Sequence, residues 1–336
     1  METTMRAATN TRYGAPEVLK VTRVERPRVG PKQILVEVHA SAVTQGDRHL
    51  RAADFPGISA LFGRLLFGLR APRNPIGGSA FAGRVVGVGA DVTRFAVGDD
   101  VFGSLVKGGG YGEYLVAKED EPIARMPSRM SHSEAAALPY GALTALAFLR
   151  DQVKVQPGER VLVVGATGGV GRPAVQIAKH LGAHVTAVGH RGLAELLALG
   201  ADALVDYREE EFLARGETWD VILDTTEGDN FRRFRPALTP EGRYISVYIT
   251  PRLLWDMATS ALTGGPRAMA GIAMGSPAEL DDVRQIAEAG ALLEPLAARF
   301  PLERVVAAHR ALEDERPFGS IVVELREGAA ADARVA

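Results

Sequence analysis

VLVVGATGGVGRPAVQIAKHLGAHVTAVGH, residues 161–190, is the stretch that decides the fold of this chain. An apolar run, Val161 to Val164, meets four glycines, Gly165, Gly168, Gly169 and Gly171. A helically spaced segment follows, and then a second apolar run, Val185 to Val188. Strand, tight turn, helix and strand in about thirty residues make a βαβ unit. Such a glycine turn is either a plain connection or a cradle for a phosphate.

Outward from this unit the same rhythm continues. Upstream, Ser131 with Glu134 three residues on forms a capping-box pattern ahead of an apolar helix. Downstream come LAELLALG, ALVDY, WDVILDT, FRRFRPAL and GRYISVY, alternating helix and strand. The alternation predicts a doubly wound parallel sheet. A further strand is expected at 271–274, GIAM, as the sheet's edge, and a helix at 278–289. The last segment reads strand, helix, strand and need not belong to that sheet.

The first 120 or so residues read differently. Ile34, Val36 and Val38 alternate, and GRVVGVGADVTRFAVGDDVFG (83–103) is a glycine-punctuated series of short β-branched pieces. Residues 111–117 add another strand. Ile58, Leu61, Phe62, Leu65, Leu66 and Leu69 fall on one helical stripe, expected to pack on the barrel rather than form a lid. With 336 residues, two domains are expected. The change of pattern bounds a β-barrel part at 1–130 and the parallel-sheet domain at 131–289, with 290–336 left outside that sheet and ending in a frayed tail.

Composition narrows the function. A formal net charge of -2 gives no basic field for nucleic acid. There is no cysteine, which excludes disulfides, thiolate nucleophiles and cysteine-ligated zinc. Neither a signal peptide nor a membrane-spanning apolar run is evident, so a cytoplasmic protein is expected.

The turn reads A-x-G-x-x-G, with Ala166, Gly168 and Gly171, and Thr167, Gly169 and Val170 between them. Free N–H groups at the start of the following helix suit a dinucleotide pyrophosphate. An NAD site usually places an acid at the end of the second strand. Here Gly189, His190, Arg191 and Gly192 stand there, and the first acid along the chain is Glu195. Arg191 can clamp a 2′-phosphate through two N–H donors, so NADPH is the expected cofactor.

AVTQGDRHLR (42–51), GSAFAGRVVGVGADVTRFAVGDDVFG (78–103), AAALPYGALTAL (135–146), VLVVGATGGVG, LGADALVDYRE (199–209), WDVILDT and FPLERVVAAHRALE together resemble the medium-chain dehydrogenase/reductase superfamily. Within it they are most similar to the zinc-independent quinone oxidoreductase-like enzymes. The resemblance covers almost the whole chain. It implies a GroES-like barrel built from both chain ends, an inserted Rossmann domain, and a cleft between them.

The family's N-x-x-D-x-x-x-R stretch stands here as Thr44, Asp47 and Arg51, with threonine replacing asparagine. An acid of the family pattern is Ala80 here. Thr144 matches a threonine near the nicotinamide ribose, Tyr207 a tyrosine beside the adenosine 2′-phosphate, and Val247 and Tyr248 complete the implied cofactor set. The turn after Asp224 is Glu227-Gly228-Asp229. The zinc branch's ligand positions carry Val43-Thr44 and Ser79-Ala80, and His39 with His49 is a poor site without a third ligand.

A hydride donor in a metal-free apolar cleft points to reduction of an activated C=C bond, in a quinone or an α,β-unsaturated carbonyl. Thr44 is the candidate donor to the carbonyl and Tyr140 a candidate proton relay. Asp47 is expected to orient Arg51 or the cofactor. Two alternatives stay open: a zinc-free ketone/alcohol oxidoreductase, and a regulator that binds NADPH without turnover. A homodimer is expected through the exposed sheet edge.

Overall fold

The computed structural model of the chain describes residues 3–326 except 210 and 229. Asp229 and the tail from Glu327 lie outside the described residues. Strands β1 (Thr4–Thr9) and β2 (Lys20–Glu25) pair as an antiparallel ribbon. The long strand β3 (Gln33–Val43) leads into helices α1 (Gln45–Ala52) and α2 (Ser59–Phe67). Then come β4 (Ala80–Val88), β5 (Asp100–Ser104), β6 (Tyr114–Lys118) and β7 (Ile123–Arg125). Ile34, Val36 and Val38 of β3 are fully buried, as their alternation predicts. Each such burial contributes about 1.5–3 kcal/mol.

The second half opens with α3 (His132–Leu146), where Ser131 and Glu134 form the expected reciprocal cap. It continues through β8 (Arg160–Val164), α4 (Gly171–His180), β9 (His184–Gly189), α5 (Glu195–Ala198) and β10 (Ala203–Asp206). Next are β11 (Trp219–Asp224), α6 (Phe231–Phe234), β12 (Leu238–Ser246), α7 (Pro251–Thr263), β13 (Arg267–Ala270) and α8 (Pro277–Glu288). Their strands form one parallel sheet in the order β10-β9-β8-β11-β12-β13. The order reverses between β8 and β11, the place where such sheets open a crevice for a ligand.

The chain then returns to the barrel through β14 (Leu296–Pro301), α9 (Val305–Arg310) and β15 (Ser320–Glu324). The barrel sheet runs β14-β15-β3-β4-β5-β7, with β6 also on β3. Ile321 of β15 pairs with Val43, so the carboxy-terminal strand braces the residue just before Thr44.

Two expectations fail here. The edge strand is β13, and GIAM at 271–274 follows it without strand structure. Register on Tyr244 and Ile245 of β12 selects 267–270, because the edge forms where a partner is available, not where apolarity peaks. The stripe on α2 also does not pack on the barrel: Phe62, Leu65, Leu66 and Leu69 are all more than half exposed. Periodicity marks an apolar face without saying what covers it. No helix among the described residues is long and apolar enough to cross a membrane.

Candidate active site

The glycine turn sits on the crevice. Gly165 has φ +75°, which L side chains rarely adopt, and Gly171 lies so close to the turn that a Cβ would stand 2.2 Å from the Gly165 carbonyl oxygen. From the other side α3 presses in, since a Cβ on Gly141 would stand 2.0 Å from the Gly169 carbonyl oxygen. The N–H groups of Gly169, Val170 and Gly171 find no backbone acceptor among the described residues. That leaves a row of free donors at a helix start, which fits a pyrophosphate. Ala166 is buried beneath it, and Thr167 leans against Gly189 of the next strand.

Arg172 secures the turn in a way its sequence gives no sign of. It is buried, donates to the Thr167 carbonyl at 2.7 Å, and pairs with Glu294 through Nε at 3.0 Å and through Nη2. Ser320 donates to the same Glu294 oxygen at 2.7 Å. Burial still lifts the Glu294 carboxyl above its ordinary range, partly offset by Arg172 and Ser320. Glu294 and Ser320 belong to the returning segment, so one buried ion pair ties the turn to the barrel. The partners are 122 residues apart, beyond the reach of any local pattern.

At the carboxyl end of β9, parallel register sets Asp206 beside Gly189. Sequence distance had made Glu195 the first acid, but β10 brings an earlier one in space. Asp206 is engaged: His190 Nδ1 lies 2.7 Å from it, and the Arg208 N–H donates to it at 2.9 Å. Those two contacts hold its carboxyl below the usual range, the Arg208 N–H foremost. The Arg208 guanidinium reaches His190 Nε2 at 3.2 Å, and the exposed Tyr207 ring meets His190 edge-on at 6.2 Å. Arg191 is exposed and donates to the Glu315 carbonyl at 2.8 Å. His190, Arg191 and Tyr207 thus surround one corner, with Arg208 as an added cation.

At the other end, Thr44 is the N-cap of α1. Its hydroxyl donates to Asp47 Oδ2 at 2.7 Å and accepts from the Asp47 N–H at 3.1 Å. That hydrogen is therefore committed, and Thr44 does not offer a free donor to a carbonyl. Asp47 is buried, and its other oxygen accepts from the Ser79 N–H at 2.8 Å. Burial raises its carboxyl pKa, opposed by these donors. Asp47 therefore joins two backbone segments; Arg51 instead donates to Gly14, His309 and Glu313. The Tyr140 ring and the Thr44 hydroxyl meet over Gly46, where a Cβ would lie 3.0 Å from the one and 3.4 Å from the other. Burial and the neighbouring Tyr248 and Asp47 hold the Tyr140 hydroxyl well above its ordinary pKa, so it keeps its proton. Thr144 donates to the Tyr140 carbonyl at 2.9 Å. Val247 and Tyr248 follow β12, with the Val247 N–H on the Asp224 carbonyl.

Beside Asp47 a cavity of about 560 Å3 opens between α1, α2 and the loops around 77 and 106. Leu50, Leu66, Phe67, Leu105 and Met274 make much of its wall.

Residues 30–128 match the alcohol dehydrogenase GroES-like domain, and residues 199–323 match a domain described as zinc-binding dehydrogenase. The chloroplast envelope quinone oxidoreductase homolog of Arabidopsis thaliana is 33% identical over 72% of this chain and 78% of that protein. The chain belongs to the medium-chain dehydrogenase/reductase superfamily, in its quinone oxidoreductase-like branch. The solved quinone oxidoreductase of Coxiella burnetii covers 96% of this chain and 100% of its own, with 29% identity and a TM-score of 0.84. The CurK enoyl reductase covers 97% and 100%, at 25% identity and a TM-score of 0.81. The protein is thus an oxidoreductase of a family that binds a nicotinamide cofactor, and the free donors of the glycine turn fit one.

The zinc in one family description does not fit these residues. Thr44, Ser79 and Ala80 present hydroxyls and a methyl where soft or imidazole ligands are needed. His39 lies 3.4 Å from the Glu37 carboxylate and its ring packs tilted against His132 at 4.1 Å, while His49 holds the Asp54 carbonyl. No group of three or more His, Asp or Glu among the described residues is placed to hold a metal.

Proposed function

We propose that the protein is a zinc-independent, NADPH-dependent reductase of activated C=C bonds in quinones or α,β-unsaturated carbonyls. The observation that carries this reading is the glycine turn with its free N–H donors on a chain that also holds a largely apolar cavity beside Asp47 and no metal-ligating set among the described residues. A carbonyl conjugated to the C=C bond takes up the charge that a Lewis acid would otherwise have to stabilise. The reading agrees with the quinone and enoyl reductase names among its relatives.

The cofactor supplies the hydride. The turn from Ala166 to Gly171 would hold the pyrophosphate through the free N–H groups of Gly169, Val170 and Gly171, while Arg172 keeps the turn in shape. Thr144, Val247 and Tyr248 would hold the nicotinamide end, and Thr44 with Asp47 would supply a rigid, hydrogen-bonded helix start close to Tyr140. With a nicotinamide cofactor bound, hydride would reach the carbon β to the substrate carbonyl. The C=C pair would shift to join the α-carbon to the carbonyl carbon as the carbonyl pair moves to oxygen, and a proton at the α-carbon would complete the product. Tyr140 keeps its proton at neutral pH and is the candidate relay. Selection of the 2′-phosphate falls to Arg191, Tyr207 and Arg208, while the Asp206 carboxylate is engaged by His190 and by the Arg208 N–H.

The test is NADPH consumption over a panel of quinones, enones and plain ketones, with the products identified. Turnover of quinones or enones with a saturated or quinol product supports the reading. Turnover of plain ketones alone replaces it with the carbonyl oxidoreductase, and NADPH binding without any turnover replaces it with the regulator.

A further inference from the structure

The cavity beside Asp47 is larger than a single quinone ring or a bare enone requires. An apolar cavity of about 150 Å3 already takes benzene, and this one measures about 560 Å3. Its wall changes character from the inside outward. Leu19 and Leu105 are buried in it, whereas Leu66, Val106 and Met274 also line it and are 63%, 46% and 67% exposed. Large apolar side chains that stay in water at the rim of a cavity make a mouth suited to more hydrocarbon.

That mouth is built on braced segments. α2 stops at Gly68, where φ is +128° and an added Cβ would stand 1.9 Å from the Ala71 carbonyl oxygen. Arg73 then caps the helix end, its N–H on the Phe67 carbonyl at 2.7 Å and its Nη2 on the Leu65 carbonyl at 3.0 Å. The Phe67 ring stacks on Phe55 with centroids 5.6 Å apart. In the loop that carries Val106, the Lys107 carbonyl accepts from Asn74 at 2.9 Å and Lys107 Nζ donates to Glu121 at 2.8 Å. Leu66 and Val106 therefore sit on tied backbone, which keeps the apolar surface from closing on itself.

Charge in the wall is balanced. Arg51, Arg73 and Lys107 stand against Asp47, Asp120 and Glu121. Arg51 is matched by Glu313 and Lys107 by Glu121, while Asp47 accepts from Thr44 and Ser79. Arg73 caps α2, and Asp120 faces solvent. With as many cations as acids, the wall has no surplus charge for an ionised ligand. An ion entering its apolar part would lose hydration without compensation.

We infer that the outer part of this cavity receives a neutral hydrocarbon chain of the substrate, and that Leu66, Val106 and Met274 set the selectivity for its length. This rests on the reading of the cavity as the substrate's. A methylene moved fully out of water gains about fourfold in affinity. Against a collar that is itself half exposed, roughly twofold per methylene is expected.

The test has a turnover arm and a binding arm. KM is measured with NADPH over straight-chain trans-3-alken-2-ones, from 3-penten-2-one to 3-undecen-2-one. Kd is measured without cofactor by calorimetric titration with saturated methyl ketones, from 2-pentanone to 2-undecanone. Both series should tighten roughly twofold per methylene. Leu66→Ser with Met274→Ser should flatten the slope, and the exposure of both side chains spares the fold. Leu65→Ser with Leu69→Ser, similarly exposed but outside the cavity wall, should leave the slope as it is. 9-Oxodecanoate, whose chain ends in a carboxylate, should bind at least about tenfold more weakly than 2-decanone. A binding slope without turnover of any alkenone supports the chain site even where the reductase reading fails. A flat KM or Kd series overturns the inference. So does a slope that depends on Leu65 and Leu69 instead, or 9-oxodecanoate binding as tightly as 2-decanone.

Discussion

Replacing Arg172 with methionine removes a guanidinium of similar length and leaves the Glu294 carboxylate buried with Ser320 as its remaining hydrogen-bond donor. Both side chains are 3% exposed or less, so water cannot take over the lost role. Breaking a buried pair in this way costs about 3–5 kcal/mol, most of it from the uncompensated charge. The Thr167 carbonyl also loses its donor, which adds about 1 kcal/mol. Exchanging both partners, Arg172→Met with Glu294→Leu, removes the stranded charge and should recover most of the loss. Cofactor binding should not recover with it, because the Thr167 carbonyl still lacks its donor and the turn loses its brace. Urea denaturation of wild type, single and double variants measures the first effect. Titration with NADPH measures the second, with an expected weakening of roughly tenfold in the double variant. A single variant within about 1 kcal/mol of wild type refutes the argument, as does a double variant no more stable than the single.

Arg191→Ala and Arg208→Ala should each erase most of a preference for NADPH over NADH that is at least about tenfold in the wild type, with NADH affinity nearly unchanged. Equal affinities in the wild type would count against 2′-phosphate recognition. Stability should fall with acidification through His309. Between its ordinary 6.5 and its folded value of about 3 the unfolded chain binds a proton that the folded one does not. The loss approaches about 1.4 kcal/mol per pH unit, and His309→Gln should flatten the slope by that amount; parallel slopes in the two proteins exclude it. Chelator treatment should leave reductase activity intact, whereas loss reversed by zinc would overturn the metal-free mechanism. A homodimer is expected across the β13 edge, flanked by exposed Trp255, Leu262 and Ile272. Light scattering should give twice the chain mass, reduced to one by Leu262→Glu with Ile272→Glu. A wild type of single-chain mass at micromolar concentration rules it out.

Features governed by a few neighbouring residues were readable from the sequence alone. The glycine turn, the Ser131–Glu134 cap and the alternation of Ile34, Val36 and Val38 depend on local backbone angles, local hydrogen bonds and side-chain period. Even the capping of α1 by Thr44 is written as T-x-x-D, although the family pattern drew attention to a role at the nicotinamide instead. The alternating segments were enough for the two-domain architecture, because strand and helix periods are properties of short windows.

Pairings across the fold were decided only in three dimensions. Asp206 reaches the adenosine corner because β10 lies in register beside β9. Arg172 finds Glu294 because the chain returns to the barrel, and His309 finds Arg51 across 258 residues. The edge strand moved from 271–274 to 267–270, and the apolar stripe of α2 was left largely uncovered, for one physical reason. An amino-acid sequence carries each residue's own preferences, whereas a hydrogen-bond partner or a covering surface comes from another part of the chain. The backbone of the cofactor site was therefore legible locally, and the charges and orphan donors around it emerged only with the tertiary structure.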